Sequence, residues 1–243
     1  MINHIRAILW KQLKDSFKNK TVLIQFLLFP IMTIIMENAI NIPDMQEHFF
    51  ANLFAIMYIG MAPLTSIASI ISEEKEKNTL RVLQMSNVKS FEYLIGNAIY
   101  ILFICMLGSL VIGLSGGYIG QELLYFMLVM LLGHIISIIV GATIGVISKN
   151  QMMATSITVP VMMIFSFLPM LSNFNDSIRN VAKYIFSEQL YLVLNNIKQI
   201  EITTESGIIL GINFLIIIIA FIINYKKVFS IFMRFFYEKT SEK

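Results

Sequence analysis

The amino-acid sequence predicts an all-α integral membrane protein with six transmembrane helices, on three observations. Of its 243 residues, 57% are hydrophobic and only 14% charged, whereas a soluble domain keeps roughly a quarter of its residues charged to wet its surface. Six apolar runs are each long enough to cross a hydrocarbon core of about 30 Å as a helix, which takes about 20 residues. Finally, 15 of the 18 Lys and Arg residues fall in alternate connections between those runs. A soluble enzyme is excluded. A β-barrel is excluded too, because the runs are about twice the length of a barrel strand and lack its alternation.

The elements follow in order along one transmembrane domain, 1–243. Residues 1–20 place Ile2, Ile5, Leu9, Leu13 and Phe17 at steps of three or four, with Lys11, Lys14 and Lys18 elsewhere on the wheel. That pattern predicts an amphipathic helix lying on the membrane surface, with a helix packed on the bundle as the plainer alternative. The spans are expected at about 21–40, 50–72, 93–115, 123–147, 152–172 and 207–224. None contains Lys or Arg, and the only acid inside one is Glu37, about one turn from the outer surface, where it is expected to reach water. Basic residues crowd 1–20, 73–92, 148–151 and 225–243, so both termini are expected in the cytoplasm of a cell membrane. No small-x-small cleavage site follows the first apolar run, and insertion without cleavage is expected. Segment 173–206 is long for a helix connection, and Ile178, Val181, Ile185, Leu190, Leu194 and Ile197 give it helical periodicity. One or two short extracellular helices dipping into the outer leaflet are expected there.

Within the spans, small-xxx-small pairs at Gly113/Gly117, Gly116/Gly120, Gly141/Gly145 and Gly207/Gly211 predict close helix approach. Pro30, Pro63 and Pro160 predict kinks. Methionines with interspersed hydroxyls mark spans two and five. Met57, Met61, Ser156 and Met163 are the candidate substrate path, since flexible thioethers accommodate varied amphiphiles; lipid-facing or core packing is the alternative.

Chemistry within the chain is limited by what the motifs omit. No glycine precedes a lysine, so the phosphate-cradling Gly-x-x-x-x-Gly-Lys-Ser/Thr loop is absent. The one cysteine, Cys105, supports neither a disulfide nor a thiolate zinc site, and His4, His48 and His134 fall at three different membrane levels. Gly113-Leu114-Ser115-Gly116 formally matches an intramembrane serine protease with His134 as base. However, His134 lies about 11 residues, or ~16 Å, inward of its span's outer end, away from Ser115. A neutral imidazole hydrogen-bonded between helices is the expectation for His134. Glu73-Glu74 lacks the arginine that paired-acid membrane proteases need, since position 78 is Asn78.

The stretch from Glu73 to Val88 is the most informative. Four acids and four bases fill 73–92, and Leu80, Leu83 and Met85 suggest an apolar ridge on a solvated helix open to a partner. Here Glu74-Lys75-Glu76-Lys77-Asn78-Thr79-Leu80-Arg81-Val82-Leu83, with Ile95-Gly96-Asn97 after it, resembles permease subunits of type-2 ATP-binding-cassette transporters. Asn78, Arg81 and Asn97 stand where that family commonly has a glycine, a second acid and a lysine.

The resemblance spans the chain and implies its own set of expectations. The connection after span two docks on a separate nucleotide-binding ATPase subunit, which carries ATP and Mg. Glu74, Lys77, Thr79, Leu80, Arg81 and Leu83 become candidate ATPase contacts. A second permease subunit, identical or related, pairs with this one in the lipid bilayer, and nucleic acid is not a partner. The expected function is ATP-driven export of an amphiphile, such as an antimicrobial or toxin-like peptide or a drug, by a subunit that is not itself an enzyme. An ATPase-independent transporter or membrane assembly factor is the alternative, and an intramembrane serine protease a distant one.

Overall fold

A computed structural model describes residues 2–18, 20–40, 47–86, 88–197 and 204–240, with side chains excepted at 2, 16–18, 20–22, 81, 84 and 226–240. The described residues form ten helices and no strand: α1 (Ile2–Lys18), α2 (Lys20–Ala39), α3 (Phe49–Glu76), α4 (Thr79–Met85), α5 (Ser90–Ser115), α6 (Gly120–Ile147), α7 (Gln151–Ser172), α8 (Asp176–Ala182), α9 (Phe186–Asn195) and α10 (Thr204–Thr240). In hydrocarbon every backbone polar group must be bonded within the chain, and a helix does that segment by segment. Helices α3, α5, α6, α7 and the Thr204–Tyr225 part of α10 are long and apolar enough to cross a membrane, while the apolar stretch described in α2, Leu23–Ala39, is shorter.

Helix ends depart from the apolar runs. α3 continues four residues past the run expected to end at 72, because Glu and Lys are good helix formers outside the membrane as well. The connection 73–92 is therefore largely helical: the end of α3, a turn at 77–78, then α4 and the start of α5. Asn78 adopts φ 57°, the left-handed region that closes helix ends. Asparagine tolerates that conformation, which is why it serves where a glycine is usual.

α3 is the central helix, packed by α2, α5, α6, α7 and α9. Gly141 and Gly145 let α6 lie directly on it, since a Cβ at Gly141 would meet the Leu64 carbonyl and Ile67, and one at Gly145 would meet Ile71 and Ala68. In the pairs Gly113/Gly117 and Gly116/Gly120 only one member allows a close approach: a Cβ at Gly113 would meet Leu123 and Phe126, and one at Gly116 would meet Ala51. Gly117, in the turn, and Gly120, the first residue of α6, have positive φ, and a Cβ at Gly211 would meet nothing. The prolines, Pro169 included, lie inside helices that continue through them.

Segment 173–197 folds back into the bundle. The first six residues of α9 and Leu194 are buried, with Leu190 against Gly133, halfway along α6, and the Phe186 ring 4.8 Å from that of Phe165. Its other end returns to the start of α3, where Asn52 donates to Asn195 at 3.0 Å. The Tyr118 hydroxyl donates to Asn52 at 2.5 Å, and the His48 ring, stacked on Tyr118 at 4.1 Å, bonds the Gly116 carbonyl.

Two expectations are corrected. Glu37 does not simply reach water: its carboxylate accepts the Ala51 amide at 2.8 Å and caps the first turn of α3, where an anion complements the helix dipole. His134 is fully buried, but neither ring nitrogen has a hydrogen-bond partner. The Tyr58 hydroxyl points at Gly108, so Tyr58 meets His134 ring to ring at 5.6 Å instead. With no partner on His134, a Ser115–His134 pair does not exist.

Candidate functional site

Consecutive helical residues point about 100° apart, so Glu73, Glu74, Lys75 and Glu76 face four directions at the end of α3. Each meets a different neighbour. Glu73 pairs with Lys77 at 2.5 Å, and this contact holds the lysine ammonium above its ordinary pKa. Glu74 turns inward beneath α1, where its Oε1 accepts from Lys11 at 2.5 Å and Gln12 at 3.0 Å. Lys75 Nζ donates to the carbonyls of Gly145 (3.3 Å), Val146 (2.6 Å) and Ser148 (2.5 Å), closing the end of α6. Glu76 accepts the Gln151 amide at 2.9 Å, at the first residue of α7. A cation thus sits at the negative end of one helix and an anion at the positive end of the next, as the helix dipoles favour.

α1 also reaches α5. His4 meets Glu92 at 2.8 Å, Glu92 accepts the Lys89 amide in a capping box, and Ile8 fills the space that Gly96 leaves open. Both roots of α4, the end of α3 and the start of α5, are therefore tied to the rest of the bundle.

The six anticipated contact residues do not form one surface. Glu74 is 7% exposed and faces α1 rather than outward. The Thr79 hydroxyl donates to the Glu74 carbonyl at 3.1 Å, anchoring α4 to α3. Leu80 and Leu83 are half-buried and pack on the core. Lys77 is exposed, and the Arg81 side chain lies outside the described residues. The outward apolar face is instead Val82 (61% exposed), Met85 (73%) and Phe91 (62%). On a helix, residues 80 and 83 lie about 60° apart, while 82 and 85 form a second pair on the opposite side, so Leu80, Leu83 and Met85 cannot share a ridge. That spacing was the available signal for Val82; Lys75 and Glu76 carried none, because their partners are distant in sequence.

The four path residues are divided likewise. Ser156 lines an open groove of about 680 Å³ with Glu76, Gln151, Met152, Thr155, Val159 and Pro160. Met163, 53% exposed, lies two turns further along the same helix. Met57 is buried, its carbonyl accepting from Ser166 across the α3–α7 contact. Met61 is half-buried at the head of a strip continued at steps of four by Thr65, Ser69 and Glu73. The Gln151 side chain reaches Ser69 at 3.1 Å, joining that strip to the groove. Among the described residues no group of three or more His, Cys, Asp or Glu is placed to hold a metal ion.

One end of this helical bundle thus leaves a short helix, α4, exposed between two anchored roots. Residues 2–226 match the family described as ABC-2 family transporter protein. The chain belongs to the ABC-2 transporter family. No curated protein matches it. As an ABC-2 permease it is a multipass membrane component of a transporter, of a family whose membrane subunits are generally not enzymes and work with an ATPase subunit.

Proposed function

We propose that this ABC-2 permease is the six-span subunit of an ATP-driven exporter in the cell membrane, with both termini cytoplasmic and α2 as the first span. A separate ATPase docks on the outward residues of α4, Val82 and Met85, and on Phe91 at the start of α5, with Lys77 and Arg81 at the rim. Glu74, Thr79, Leu80 and Leu83 hold that face in place from behind. Two permease subunits, identical or related, form the complete path. The substrate is an amphiphile, a peptide or a drug, moving past the groove of Ser156 and the thioethers of Met61 and Met163. The observation that carries this reading is the exposed apolar face on α4, set where both its roots are fastened to the bundle: soluble surfaces avoid such patches unless a partner covers them.

The test is the double variant Val82→Asp/Met85→Asp in tagged protein. Both positions are exposed, so folding should change by no more than about 0.5 kcal/mol. The ATP-hydrolysing chain that co-purifies with wild-type protein should be lost, together with ATP-dependent uptake into inverted vesicles. Full retention of both would place the ATPase contact elsewhere on the bundle, and wild-type protein that co-purifies no ATP-hydrolysing chain would return the ATPase-independent alternative.

A further inference from the structure

The helical wheel of α1 divides into two arcs, and they are not used as its sequence suggests. Ile5, Ile8, Leu9, Gln12 and Leu13 form the inner arc; Ile8 and Gln12 are buried, and Leu9 and Leu13 pack on the core. The apolar side that a surface helix lowers into lipid is thus taken up by the bundle, chiefly by α5. The outer arc exposes Arg6, Trp10 and Lys14 at steps of four, with Asn3 and Ala7 beside them. Trp10 is 71% exposed. Lys11 and His4, at the edge of this arc, are committed to Glu74 and Glu92, and Asp15 lies exposed at the same edge.

The depth of α1 is set by its contacts. It crosses α5 at Gly96, close to where that helix's apolar run begins, and α3 at Glu74, two residues from its inner end. α1 therefore lies at the level of lipid headgroups. A tryptophan there places its ring among glycerol and upper acyl groups, with its N–H toward water. Arg6 and Lys14, one turn to either side and about 12 Å apart along the axis, are set to meet phosphate.

We infer that the Arg6–Trp10–Lys14 stripe is a binding surface for anionic phospholipid headgroups. Charge complementarity selects them over zwitterionic lipid, since each exposed basic side chain multiplies the local enrichment of an anionic surface by about fivefold. Assignment to the inner leaflet rests on the orientation proposed above; the headgroup preference does not.

The chain supplies its own probe, because Trp10 is its single tryptophan. The full-length protein is reconstituted in phosphatidylcholine vesicles holding a minor fraction of phosphatidylglycerol, with bromine on the acyl chains of one lipid or the other. Brominated phosphatidylglycerol should quench Trp10 several-fold more than brominated phosphatidylcholine at equal mole fraction. Arg6→Gln/Lys14→Gln, both at exposed positions, should abolish the difference while leaving quenching by phosphatidylcholine in place. Equal quenching by both lipids in wild-type protein would overturn headgroup selectivity. No quenching by either would overturn lipid contact altogether and assign the stripe to a protein partner. Neither outcome depends on an ATPase, so the proposed function stands or falls separately.

Discussion

Replacing Lys75 with methionine removes one ammonium and keeps its aliphatic stem. The ammonium serves three carbonyls at the end of α6, at 2.6 and 2.5 Å for the nearer two. A hydrogen bond to a charged group contributes about 1.5–3 kcal/mol net, and a cation at a helix C-terminus about 0.3–1 kcal/mol. Lys75 is only half-buried, so water recovers part of this when the ammonium is gone. The loss should be about 2 kcal/mol, or about thirtyfold in the ratio of open to closed protein. The reporter is Cys105, the sole cysteine, which is 0% exposed beneath α3. When opening and reclosing are fast, modification of a buried thiol tracks the open population. Lys75→Met should label Cys105 about thirtyfold faster in mild detergent, and Lys75→Arg, which keeps a cation at the same carbonyls, far less so. Wild-type labelling in Lys75→Met would show that these carbonyls are equally well served by water and that the α3–α6 tie does not stabilise this end of the bundle.

Gly141→Leu should reduce the yield of folded monodisperse protein on fluorescence-detected gel filtration, because its Cβ would fall on the Leu64 carbonyl and overpacking costs about 1–3 kcal/mol or more. Gly211→Leu, with open space at its Cβ, should match wild type. Glu188 gives a pH dependence: burial raises its carboxyl above the ordinary range, against the opposing effects of the Ser172 hydroxyl and the Arg179 charge. A carboxyl raised in the folded state contributes fully below its unfolded pKa and progressively less as pH rises through the folded value. Glu188→Gln should therefore raise Tm at about pH 7, with the gain vanishing towards about pH 4. A lower Tm at the higher pH would mean that the carboxylate's bonds to Ser172 outweigh its burial.

Sequence alone determined the all-helical class and the rough positions of the long apolar helices, five of which are long enough to cross a membrane, because burial in hydrocarbon imposes length and apolarity on contiguous residues, and contiguity is visible in one dimension. It also located the family-like stretch at the end of α3, since Glu74 to Leu83 is a local pattern. What it could not decide was which side of each helix is used. Ile5, Leu9 and Leu13 read as a membrane-facing stripe, yet the bundle takes that side and leaves Trp10 outward. Leu80 and Leu83 read as a partner's ridge, yet they pack inward while Val82 and Met85 face out. Glu74, Lys75 and Glu76 read as a solvated charge run, and each holds a separate helix. An apolar side chain satisfies the same pattern whether it meets lipid, a neighbouring helix or another protein, and a charge fits a loop whether it meets water or a helix end. Only the packing of residues 60 to 90 positions apart chooses among these, and that choice exists only in three dimensions.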